Sequence, residues 1–178
     1  RTHFTYKGRA HFKELESTSQ SELEQWHKKR LEAYHGSLRH FLTALANRDF
    51  TDSGFQFYGV KEPGGISNPA FDEKTRIVLN QILQDRPGSL NKTLKFQDYL
   101  EITYHFERRP QVSWLNLNEA SAVITPSGFV MEPFNAFTLQ GWWAVERLIE
   151  LLPREYVPQK ASRTKAVPLA HKLAYTSI

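Results

Sequence analysis

An α+β domain is expected, with a mostly antiparallel sheet flanked by a long N-terminal amphipathic helix and a C-terminal helix. Three observations predict it. Apolar residues from Leu23 to Leu45 step mostly by three or four, the period of a helix with one buried face. Between Tyr99 and Phe106 apolar and polar residues alternate, the period of a half-buried strand. Ala122-Val123-Ile124, Pro126-Ser127-Gly128 and Phe129-Val130-Met131 spell two short strands about a turn.

The elements follow in order. Residues 1–14 mix aromatic and basic residues and suit an extended lead-in or a short strand. Ser19-Gln20-Ser21-Glu22 is a capping-box pattern that would satisfy free amides at a helix start. The helix is expected to run to about Ala46 through Leu23, Trp26, Leu31, Tyr34, Leu38, Phe41, Leu42 and Leu45. Gly36 lies inside it at a cost of roughly 1 kcal/mol relative to Ala, which points to a kink or to close approach by another segment. Phe55-Gln56-Phe57-Tyr58 reads as an aromatic strand between two glycines, followed by a Pro- and Gly-rich loop. Ile77, Val78, Ile82 and Leu83 fit a short helix better than a strand. Val112, Trp114 and Leu115 continue the sheet. Trp142, Val145, Leu148, Ile149 and Leu152 mark a last helix from about Thr138, ended by Pro153. Residues 1–158 are expected to form a single domain and residues 159–178 a basic, Pro-containing tail.

The chain of 178 residues carries 23 Lys+Arg and 19 Asp+Glu. Four of the basic residues, Lys160, Arg163, Lys165 and Lys172, follow Glu155 with no acidic residue among them. Removing those four leaves 19 basic against 19 acidic residues, so the excess belongs to the tail and not to a face of the fold. Nucleic acid is therefore not the expected partner, although Lys160, Arg163 and Lys165 could touch an acidic surface. There is no Cys, which excludes disulfides, thiolate metal sites and cysteine nucleophiles. No apolar run reaches the ~18 residues of a membrane span, so the chain is expected to be peripheral to any membrane. No leader pattern follows Arg1, and the chain is expected to be a piece of a longer protein.

Three constellations carry possible chemistry. His11 and Glu14 have the His-x-x-Glu spacing of a zinc site, with His105 as a distant third ligand and one position left for water. Seven histidines among 19 acidic residues yield such a spacing by chance, and no metal or other cofactor is expected. Arg30 and His35 have the Arg-x4-His spacing of helical ribonucleases, where Arg holds phosphate and His moves a proton; the same residues fit an ordinary charged helix flank. Trp142-Trp143 suits one ring turned to the core and one exposed as an anchor for a partner.

Two segments stand out together. One is Trp26-x3-Arg30-x3-Tyr34-x-Gly36-Ser37-x2-His40-Phe41-Leu42-x2-Leu45, then Gly54-Phe55. The other is Phe96-x2-Tyr99-Leu100-x-Ile102-x-Tyr104, then Gln111-x-Ser113, Gly128, Gly141-Trp142-Trp143 and Leu151-Leu152-Pro153-x2-Tyr156-x-Pro158. In this order and spacing the chain resembles the carboxypeptidase-like regulatory domain-containing proteins of Bacteroidetes, in the region after their prealbumin-like β-sandwich. It departs from them in showing Gly-Trp-Trp where the family usually has Gly-Tyr-Trp. The resemblance implies an exported protein of the periplasm or outer membrane whose partners are other envelope proteins. It implies no peptidase activity and transfers no catalytic residue. Under it, Trp26, Tyr34, Gly36, Ser37, His40, Phe41, Tyr104, Gly141 and Pro153 are structural. A close packing at Gly36-Ser37, a hydrogen bond from His40 and a helix seated by Trp142, Leu148 and Leu152 are expected. The function so implied is a non-enzymatic binding or scaffold module; the competing classes are a metal-dependent hydrolase at His11/Glu14/His105 and a nucleic-acid-binding or ribonuclease domain using Arg30/His35 and the tail.

Overall fold

In a computed structural model, the residues described are 12–13, 15–17, 19–50, 53–63, 74–105, 110–133, 135–145 and 152–158. They form two four-stranded antiparallel sheets with short helices, an α+β mixture, where the sequence predicts one sheet. The first sheet has the order β1 (Phe55–Val60), β4 (Tyr99–Tyr104), β5 (Gln111–Leu117), β8 (Phe137–Gly141). The second has β2 (Leu83–Asp85), β3 (Lys92–Leu94), β6 (Ala122–Ile124), β7 (Val130–Glu132). The hairpin predicted around Pro126-Ser127-Gly128 is the β6–β7 pair.

The long N-terminal helix is two helices, α1 (Gln20–Tyr34) and α2 (Leu38–Asn47). Gly36 breaks it with φ +78°, a backbone state that costs other residues about 1–2 kcal/mol. Ser37 then caps α2: its Oγ accepts from His40 N (3.2 Å) and donates to Tyr34 O (2.7 Å). The buried apolar face lies in α2, through Phe41, Leu42, Ala44, Leu45 and Ala46. In α1 only Tyr34 is buried, and Trp26 is half-buried. The capping box is absent, because Glu22 instead accepts from Ser17 Oγ at 2.7 Å and Ser19 makes no side-chain cap.

Residues 77–83 divide between a single helical turn, α3 (Leu79–Ile82), and strand β2. The last helix also needs correction. Thr138 to Gly141 belong to β8, with Leu139 opposite Leu115, and a 3-10 turn spans Trp142–Val145. Leu148 and Ile149 lie outside the described residues.

The core fills the space between α2 and the inner sheet faces. Phe41 packs edge-on against Phe55 at 5.4 Å and tilted against Trp143 at 5.6 Å between centroids. Leu94, Leu100, Leu115 and Ile124 are fully buried around them. Gly128, at the β6–β7 turn, brings its backbone against that of α2.

Candidate functional site

The knee between α1 and α2 gathers most of the motif residues. A Cβ on Gly36 would lie 2.7 Å from Tyr104 Cδ1 and 2.8 Å from Gln111 Oε1. The close approach expected there is therefore made by side chains of β4 and β5. His40 Nδ1 accepts from Gly36 N at 3.2 Å, and Trp143 Nε1 donates to Gly36 O at 2.7 Å. Both polar groups of this left-handed glycine are thus held by rings. The His40 ring lies 4.8 Å from Tyr34, 4.9 Å from Phe55, 5.2 Å from His35 and 5.8 Å from Tyr104. Burial, with the His35 imidazole beside it, lowers the His40 pKa to about 4. Burial also lowers that of His35 and raises the Tyr104 phenol to about 12.

Arg39, on the next face of α2, is a clamp with no local sequence signal. Its Nη1 donates to Pro153 O (2.8 Å), and its Nη2 to Arg154 O (2.9 Å) and Tyr156 O (2.7 Å). Its guanidinium stacks 4.3 Å over Phe129, which Arg154 covers at 4.9 Å. Residues 152–158 are thereby tied to α2 and to the β6–β7 hairpin. Arg39→Ala is expected to cost about 2 kcal/mol and to speed trypsin cleavage after Arg154 by about tenfold or more. An unchanged cleavage rate would show that other contacts hold this segment.

Trp142 and Trp143 part as adjacent residues must at the end of a strand. Trp143 is 4% exposed in the core, and its main-chain N–H donates to Ser113 Oγ at 3.2 Å. Trp142 is 52% exposed and Val145 70%. Trp143, not Trp142, seats this segment. Gly141 precedes them with φ +72°, and a Cβ there would meet Val112 O at 2.5 Å. Trp142 thus projects from the end of β8, an outer strand of the first sheet.

The opposite face of that sheet holds a pair that the sequence reading missed. Glu101, 7% exposed on β4, accepts from Lys74 Nζ at 2.6 Å and from Trp114 Nε1 at 3.2 Å. Charge-assisted bonds of this kind satisfy a buried carboxylate. Its only trace in the sequence is a Glu in an alternating strand, which reads as solvated.

The proposed catalytic sets are only partly on view. His11 and Glu14 lie outside the described residues, whereas His105 is exposed and hydrogen-bonds Gln56 at 3.2 Å. Among the described residues no group of three His, Asp or Glu could hold a metal. His35 packs its ring against Tyr34 and His40 at the end of α1 and is half-buried, which is not the surface flank of a charged helix. Lys160, Arg163 and Lys165 lie outside the described residues. Among the described residues, every buried side-chain polar atom has a partner.

Fold and site together define an α+β domain of two antiparallel sheets, with an exposed Trp at the end of an outer strand. No family model, no curated protein and no solved structure matches the chain. The family resemblance rests on the motif residues alone.

Proposed function

We propose that this chain is a non-enzymatic module of the cell envelope, a binding or scaffold domain in an outer-membrane protein assembly, located in the periplasm or at the outer membrane. The observation that carries the reading is the exposure of Trp142 and Val145 side by side on one 3-10 turn. Large apolar groups left in water at the end of a rigid strand are suited to anchor a protein partner. Two further points support it. The knee residues Tyr34, His40 and Trp143 pack or hydrogen-bond within the domain, which fits structural roles. The motif segments resemble envelope proteins. No helix among the described residues is long and apolar enough to cross a membrane, which suits a peripheral module.

A photo-activatable amino acid at position 142 of the full parent protein, irradiated in its native envelope, tests this. One discrete adduct with an envelope protein is expected from position 142. None is expected from position 90, where Leu90 is more exposed than Trp142, at 79%. Trp142→Ala should lower the co-purified partner by about tenfold or more while leaving thermal melting unchanged. No adduct at 142, or fractionation of the parent with the cytoplasm, would overturn the reading.

A further inference from the structure

We infer that the outer edge of β8, unpaired among the described residues, pairs with β8 of a second copy, joining two first sheets into one across a two-fold axis. The four outer strands of the two sheets are not alike. On β1, Gly59 exchanges both main-chain hydrogen bonds with Thr75 at 2.9 Å. The three-residue β2 carries Asp85, ion-paired to Arg48 and Lys92. The three-residue β7 ends in Glu132 and is followed by Pro133, and its pairing with β6 is irregular. Charges, short length, proline and bulges are the devices that keep sheet edges from pairing with other chains. On β8 these devices are missing: from Asn135 to Val145 no residue is charged and none is proline.

The register makes the edge self-complementary. Ala136 O accepts from Asn118 N on the β5 side, so Thr138 and Gln140 also direct their main-chain groups to β5. The N–H and C=O groups of Phe137 and Leu139, and the N–H of Gly141, point the other way, where nothing pairs with them among the described residues. An antiparallel copy centred on Leu139 places Leu139 opposite Leu139, Phe137 opposite Gly141 and Thr138 opposite Gln140. The outward main-chain groups then face one another as hydrogen-bonded pairs. No like charges meet, and an aromatic ring covers a glycine at each end.

This inference stands apart from the role given to Trp142, because it concerns the purified chain alone. Sedimentation over a wide concentration range should show a monomer–dimer equilibrium. Thr138→Lys with Gln140→Lys should remove the dimer, since each Lys then faces another across the seam, while circular dichroism shows the chain still folded. Melting falls modestly with the loss of the dimer and of the Thr138–Asn118 hydrogen bond. The chain has no Cys, so introduced thiols report the register directly. Mixing Thr138→Cys with Gln140→Cys chains under mild oxidation should yield a covalent dimer, and either variant alone should yield far less. A wild-type chain that is monomeric throughout, a dimer indifferent to the paired Lys substitutions, or thiols that fail to join on mixing would overturn the inference. The cross-linking arm stands even if the Lys variant fails to fold.

Discussion

Gly128→Ala is expected to lower the melting temperature by about 10 °C or more, from a loss of about 3–5 kcal/mol. Gly128 holds φ +77° at the β6–β7 turn, where its N–H donates to Thr125 O at 3.0 Å. A left-handed backbone costs Ala about 1–2 kcal/mol. The larger contribution is steric. A Cβ here would lie 2.3 Å from Arg39 O, 2.5 Å from Thr43 Oγ1 and 3.0 Å from Thr43 N. Two of these atoms are main chain of α2 and cannot rotate away. Moving the hairpin outward instead lengthens the hydrogen bond from Arg39 Nε to Ser127 O (3.4 Å) and lifts Phe129 off the Arg39 guanidinium, so relief at one contact is loss at another. Gly88→Ala provides the control. Gly88 has φ +70° with nothing within 4 Å of its missing Cβ, so it isolates the backbone cost of about 1–2 kcal/mol. Equal melting shifts for the two variants would mean that the β6–β7 turn does not sit on α2 as closely as described.

Contacts that are local in sequence were the readable ones. The β6–β7 hairpin could be read from Pro126-Ser127-Gly128 because turn and strands lie within eleven residues. β1, β4 and β5 could be read from aromatic or alternating runs, but not the division into two sheets, which depends on pairings such as Phe55 with Tyr104. The periodicity across Gly36 misled, because Leu31, Tyr34 and Leu38 keep helical spacing through a break. Gly36-Ser37 did contain the signal, a left-handed stop followed by a capping Ser. Thr138 to Gly141 read as helix through the apolar positions that follow them. Pairing with β5 overrode that local pattern, as strand formation often does. At the candidate site, the opposite facing of Trp142 and Trp143 was foreseeable from their adjacency, but the direction was not. The Arg39 clamp and the Lys74–Glu101–Trp114 group join residues far apart in the chain, and no spacing rule reaches them.

The buried His40 makes the domain sensitive to acid. Its folded pKa of about 4 lies below the ordinary value of 6.5, so the unfolded chain takes up the proton first. The stabilisation it lends is complete above pH 6.5 and is lost as pH falls through that value toward 4. Over this interval the loss approaches about 3 kcal/mol. His35, lowered by burial, works in the same direction. The structural cause is the knee: Nδ1 must remain an acceptor for Gly36 N, while Tyr34, Phe55 and Tyr104 surround the ring. Around it, α1 presents Tyr34 and His35, and β4 presents Tyr104. With burial and the His35 imidazole both opposing a charge at His40, the neutral ring is favoured. His40→Asn separates this effect from the titration of the carboxylates, because an Asn oxygen can accept the Gly36 N–H without taking a proton. Denaturant unfolding at pH 7 and pH 4 should show a wild-type loss larger than the variant's by about 2–3 kcal/mol. Equal losses in the two proteins would place the acid sensitivity elsewhere and leave His40 as packing alone. A larger loss in wild type would make the Gly36–His40 hydrogen bond the proton-sensitive joint between α1 and α2.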